Sequence, residues 1–341
     1  MKILLHLMLP LFTLVAYTQQ ENFTYCQQVP DWSDFKIDSN LNSDNADILV
    51  VTNRPWEPEE TVFLPNEIAE WRKVTYLLAT CADSNWYVNK VSNFEQAMDK
   101  FNTGEDVLLF VHGHGKNFPS TLTRASQVQK RYGVKTILFD WPAQNSNFNK
   151  SMARVRRCGE NFYNLLLQLE DYKERKFKTE QHLSILAHSL GNYFLTHMVV
   201  NGNNQYLKNT FVDNIIFSAP AIKSGEHGLV LSQMEFQKRI YVALNENDRI
   251  LRGAHLITYG KMLGNVVVKP TAKNTEYIHF TPLVGKQHTF FAGYYQFEFD
   301  YPVVFDFYNN ALHGRKVNTE NKSYYLERPT NDGYDASAAT E

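Results

Sequence analysis

The chain predicts an α/β fold with a mostly parallel central sheet and helices on both faces. Short, continuously apolar runs recur, as in Ile48–Val51 and Val107–Val111. Runs without polar alternation suit strands covered on both sides. They are separated by segments of helical period, which is the rhythm of βαβ units. With 341 residues, the chain can build one large domain with a sizeable core.

The elements follow in order. A strand over 48–52 ends at Asn53-Arg54-Pro55, where proline stops helix and interior strand alike. A second strand covers 75–80, and a third, 107–111, runs into His112-Gly113. Residues 126–132 read as helix, and the next strand, 136–139, closes at Asp140-Trp141-Pro142. The clearest helix spans 152–172, with Val155, Cys158, Phe162, Leu165, Leu166 and Leu169 on one face and charges opposite. Further strands fall at 183–188, 214–217 and 240–244. No internal repeat is present.

The termini read differently. Met1-Lys2 followed by an almost unbroken apolar run to Val15, then Ala16-Tyr17-Thr18, has the form of a signal peptide over 1–18. This predicts a secreted or periplasmic protein. Residues 19–45 are polar and expected to be irregular, 46–315 form the folded domain, and 316–341 are expected to be a loose tail. Past the leader no stretch is long and apolar enough to span a bilayer. A formal charge of −2 predicts no nucleic-acid surface. Cys26, Cys81 and Cys158 could give one disulfide and one thiol in an oxidising compartment. Three separate thiols, with Cys158 facing the core, is the slightly preferred expectation.

Chemistry concentrates at 183–191, Leu-Ser-Ile-Leu-Ala-His-Ser-Leu-Gly. An apolar strand runs into a small-x-Ser-x-Gly turn, and a helix follows, with Tyr193, Phe194, His197 and Met198 at helical spacing and Asn201-Gly202 as its stop. Such a turn holds a serine in a strained conformation with its hydroxyl at the top of the sheet, so Ser189 is the candidate nucleophile. A buried serine at an ordinary strand–helix junction is the plain alternative.

A serine hydroxyl needs a base, and the base needs a carboxylate to set its tautomer. The strand 240–244 leads into Asn245-Glu246-Asn247-Asp248, at the carboxyl edge where α/β folds bind ligands. Asp248 is preferred as the acid, with Glu246 the competitor. His288, in a loop, is preferred as the base over His279, which lies in a strand-like stretch. For the oxyanion, Leu190 N–H is one donor. The second comes from the His112-Gly113-His114-Gly115 loop, with His114 N–H preferred and Gly115 N–H the alternative. His112-x-His114 has a metal-like spacing but no clustered third ligand, so neither metal nor cofactor is expected. Phe290, Phe291, Tyr294, Tyr295 and Phe297 either line an apolar acyl site or pack the core.

These residues together resemble the α/β-hydrolase superfamily, and more narrowly a bacterial, esterase/lipase-like group of hydrolases of unknown function. The resemblance runs from about Ile48 to about Phe307. It rests on Val51-Thr52-Asn53-Arg54-Pro55, Phe110-Val111-His112-Gly113, Phe139-Asp140-Trp141-Pro142, Ala187-His188-Ser189-Leu190-Gly191, Phe217-Ser218-Ala219-Pro220, Asn247-Asp248 and His288-Thr289-Phe290. Ala187 stands where glycine is usual. The resemblance implies a Ser189–Asp248–His288 triad and acyl hydrolysis without cofactor. The expected substrate is a small-molecule or lipid-like carboxylic ester. An amidase or peptidase with the same triad, or a non-catalytic binding protein on this fold, are the alternatives.

Overall fold

The computed structural model describes residues 28–38, 46–70, 72–144, 147–258, 260–292 and 301–338. The expected signal peptide lies outside them. The strands are β1 (Phe35–Ile37), β2 (Ile48–Thr52), β3 (Thr75–Ala82), β4 (Asn85–Val91), β5 (Val107–Val111), β6 (Lys135–Asp140), β7 (Leu183–His188), β8 (Val212–Ser218), β9 (Gln237–Leu244), β10 (Thr275–His279), β11 (Tyr325–Glu327) and β12 (Tyr334–Ala336). They form one sheet in the order β1-β4-β3-β2-β6-β5-β7-β8-β9-β10-β12-β11. From β2 to β12 across the sheet the pairing is parallel, from β6 through β10 without exception. Strands β2, β3 and β4 meander antiparallel at one side. The central strands β2, β5, β7 and β8 are buried along their whole length, as their unbroken apolar runs require.

The helices are α1 (Phe94–Phe101), α2 (Phe118–Tyr132), α3 (Phe148–Lys176), α4 (Asn192–Val200), α5 (His227–Leu231), α6 (Arg249–Thr258), α7 (Thr281–Val284) and α8 (Pro302–Leu312). Helix α2 begins eight residues before the expected start. Asn117 caps it by accepting from Ser120 N–H, and Pro119 sits in the first turn, where its missing N–H costs nothing.

Crossover handedness distributes the helices. The β5–α2–β6 connection steps one way across the sheet, whereas β6–α3–β7 and β7–α4–β8 step the other way. Parallel crossovers are right-handed, so α2 lies on one face and α3 and α4 on the opposite one. Tyr172 of α3 packs on Phe94 of α1, their ring centroids 6.2 Å apart, and Phe305 of α8 stacks on Tyr132 of α2 at 5.5 Å. Both faces of the sheet are therefore covered.

Three expectations are corrected. The 316–341 segment contains the β11–β12 hairpin, which extends the sheet beyond β10. Tyr325 and Ala336 are buried, and Arg328 pairs with Glu246, Asp332 and Asp335. Ion pairs and isolated buried side chains hold it, not a periodic apolar stripe, so periodicity does not reveal it. Within 19–45, residues 35–37 form β1, whose Phe35 packs against Trp32, Phe63 and Phe118. Finally, Cys81 is disulfide-bonded, which overturns the preference for three separate thiols, while Cys158 is a buried free thiol facing the core, as expected. Burial pushes the Cys158 thiol up to about 12, so it stays protonated. Among the described residues no helix is long and apolar enough to cross a membrane.

Candidate active site

Strand β7 ends at His188, a three-residue 3-10 turn covers Ser189–Gly191, and α4 starts at Asn192. Ser189 has φ of 54°, the left-handed region that costs a non-glycine residue about 1–3 kcal/mol. The surroundings hold it there. Its carbonyl accepts from Asn192 Nδ2 at 2.9 Å and from Ala221 N–H at 3.1 Å. The end of β5 presses directly on the turn. A Cβ added at Gly191 would lie 2.6 Å from the carbonyl oxygens of both Val111 and His112, and one added at Gly113 would lie 2.8 Å from Ser189 Cβ. Glycine at both positions is what lets the two loops meet.

Asp248 follows β9 and is fully buried. One carboxylate oxygen accepts the backbone N–H groups of Ile250 and Leu251, at 2.8 and 3.1 Å, and so caps α6. The other accepts from His288 Nδ1 at 2.5 Å. That bond fixes the tautomer, leaving His288 Nε2 free to act as a base. Asn245 ties the two loops together by donating from Nδ2 to the carbonyls of Gln287 and Gly285, at 2.8 and 3.1 Å. The competing acid and base pair with each other. His279 Nδ1 lies 3.1 Å from a Glu246 carboxylate oxygen, which Arg328 also contacts at 2.9 Å. Burial, reinforced by the Arg328 charge, holds His279 below its ordinary pKa.

Placement of the His112–Gly115 loop, the candidate oxyanion loop, rests on a buried polar cluster. Arg54 and Asp140 are both buried and meet at 2.7 Å. Burial pushes Asp140 up, but the Arg54 guanidinium outweighs it and holds the carboxyl well below the usual range. Thr52 and Thr121 hydroxyls donate to the same carboxylate, at 2.7 and 3.2 Å. Arg54 also donates to the Trp141 carbonyl. Trp141 N–H donates to His112 Nε2 at 3.1 Å, and the rings of His112 and Trp141 stack at 5.4 Å. With Nε2 accepting, His112 Nδ1–H donates to the Gly113 carbonyl at 2.9 Å. A trans peptide holds its C=O and N–H in opposite directions. Anchoring the Gly113 carbonyl therefore aims the His114 N–H, the preferred second donor. The Gly115 N–H is already committed to the Ala143 carbonyl at 2.9 Å. Both histidines of the metal-like pair are engaged by protein groups, His114 through Nδ1 to Ser151 Oγ at 2.8 Å.

His188 was not singled out from sequence. Its ring lies 4.8 Å from that of His288, and its Nε2 approaches the His288 carbonyl at 3.3 Å and Thr289 Oγ1 at 3.4 Å. Burial, then the neighbouring His288, drives its pKa well below the ordinary value, so it remains neutral. The residue before Ser189 thus contacts the loop that carries His288. The hydrogen bonds of His288 run to Asp248 and His188, none to Ser189. Such bonds are commonly long before substrate arrives. Phe290 and Phe291 are buried against Phe280, Tyr308 and Phe110, so they pack the core; Tyr294, Tyr295 and Phe297 lie outside the described residues.

A mixed, mostly parallel sheet with helices on both faces and a strained serine between β7 and α4 defines an α/β-hydrolase fold. The family described as Alpha/beta hydrolase of unknown function (DUF900) matches residues 89–281, more than half of the chain, and the chain belongs to it. The match contains Ser189 and Asp248 and ends before His288. No curated protein matches the chain.

Proposed function

We propose that this protein is a secreted serine hydrolase that cleaves a carboxylic ester. The observation that carries the reading is the His288–Asp248 hydrogen bond, on loops next to a serine held at positive φ. Ser189 Oγ attacks the substrate carbonyl carbon as its proton passes to His288 Nε2. Asp248 stabilises the imidazolium, and the N–H groups of Leu190 and His114 receive the oxyanion. Each such donor is worth about 3 kcal/mol in the transition state. Collapse expels the alkoxide, which takes the proton from His288. Water, deprotonated by His288, then attacks the acyl-enzyme; collapse breaks the Ser189 Oγ–acyl bond, His288 returns the proton to Oγ, and the carboxylic acid leaves. Secretion rests on the 1–18 leader and is supported by the Cys81 disulfide, which suits an oxidising compartment.

The test is labelling of the protein by a fluorophosphonate, with peptide mapping. Label on Ser189, and loss of label and ester turnover in a folded Ser189→Ala variant, is the expected result. Turnover of amides at rates matching esters would move the reading to an amidase. A folded protein inert to every acyl probe would reduce it to a binding scaffold.

A further inference from the structure

A cavity of about 250 Å³ lies against the first turns of α4, which follows the Ser189 turn. Its walls are mainly apolar: Phe148 and Met152 of α3, Tyr193 of α4, then Ile222, Val230 and Met262. Two contacts relate it to the Ser189 backbone and to the His114 side chain. Ala221, also on its wall, donates its N–H to the Ser189 carbonyl. Phe148 packs edge-on against the His114 ring at 5.9 Å, so the wall continues into the oxyanion loop. The helices lining it, α3 and α4, lie on one face of the sheet. His288 arrives from the other face, where Phe291 packs on Tyr308 of α8 and its carbonyl accepts from Tyr132 of α2.

We infer that this cavity binds the acyl chain of the substrate, and that the chain is medium-length and uncharged. The inference rests on the proposed Ser189 chemistry. The leaving alkoxide must lie next to His288 to receive its proton, so the alcohol portion occupies the α2–α8 side. The acyl portion points away from His288, towards the cavity. A methylene occupies about the volume of a water molecule in the liquid, ~30 Å³, so the space holds roughly eight carbons. The apolar walls reward each methylene removed from water. Of the titratable residues on its wall, Lys223 and Glu226 are exposed and of opposite sign, and burial holds His197 and His227 below the ordinary imidazole pKa, so the wall gives no net preference for a charged chain.

The experiment measures kcat/KM over nitrophenyl esters from acetate to palmitate, and over alkyl acetates of matching length, alongside fluorophosphonate labelling of Ser189. The acyl series is expected to peak near eight carbons, on the order of tenfold above acetate. Met152→Trp narrows the cavity and should move the optimum to shorter chains. Met152→Ala widens it and should move the optimum to longer ones. Met152 is half-buried, and thermal melts report whether each variant is folded; either variant alone decides the outcome. Label on Ser189 with a flat acyl profile, an optimum that neither variant moves, or length dependence only in the alcohol series would overturn the inference and leave the hydrolase reading standing. No label and no turnover would overturn both.

Discussion

At Gly191 the approach of the Ser189 turn to the end of β5 depends on a missing methyl group. Two backbone carbonyl oxygens already occupy the space that a Cβ would need, and backbone cannot rotate aside as a flexible side chain can. Gly191→Ala should therefore destabilise the fold by about 1–3 kcal/mol, the usual cost of overpacking. Denaturant melts against the parent chain read this directly; an unchanged midpoint would show that the β5 loop yields freely. The same close approach explains why a serine with φ of 54° persists, since the strain is spread over a rigid neighbourhood. The buried Arg54–Asp140 pair is a further residue-scale constraint. It lies remote in sequence from Ser189, yet through Trp141 and His112 it fixes one peptide group of the oxyanion loop.

Among the elements, the β11–β12 hairpin is the least expected. Polar composition argues for a tail, whereas Tyr325 is buried beside Asp306 and Tyr241, and Arg328 bridges three carboxylates. One of these is Glu246, in the same turn as Asp248. Deleting residues 318–341 should lower the melting temperature by roughly 5 °C or more, given the buried aromatic surface and ion pairs lost. A deletion variant that melts with the parent would mean that the hairpin contributes nothing to stability. Helix α6 is an element of a different kind, since its N-terminal cap is the candidate catalytic acid. Asp248 is thereby held in one rotamer before any substrate binds, and its second oxygen is left for His288.

Over the whole molecule, the two ends of the sheet divide the work. The carboxyl ends of the strands carry Ser189, Asp248 and the candidate oxyanion loop. At the start of β8, Asp213 accepts from Lys238 at 2.7 Å, Lys173 at 3.0 Å and Leu183 N–H at 3.0 Å. Burial pushes its pKa up, but these donors outweigh it and hold the carboxyl at about 2. An unfolded aspartate titrates near 3.9. The pairing therefore stabilises the fold fully above about pH 4, and that contribution is lost as pH falls through about 2. Urea midpoints measured at pH 5, 4 and 3 should fall, and Asp213→Asn should flatten that fall while lowering the midpoint at pH 5. Parallel curves for parent and variant would assign the acid sensitivity to other carboxylates.

Much of this was legible in the chain because it is local. Apolar runs, helical periods, and the strand–turn–helix at 183–200 are properties of neighbouring residues, and burial on both faces follows from the absence of polar alternation. The order of Ser189, Asp248 and His288 is equally a matter of sequence. Other features arise from residues far apart in the chain. Glu246 and His279 were plausible as acid and base until folding paired them with each other and with Arg328, and Asn245 brought the Asp248 and His288 loops together. Periodicity cannot register such contacts. A polar side chain reads the same in sequence whether it is solvated, buried in an ion pair or aimed at a substrate, and its partners are assigned when sheet pairing closes the intervening chain.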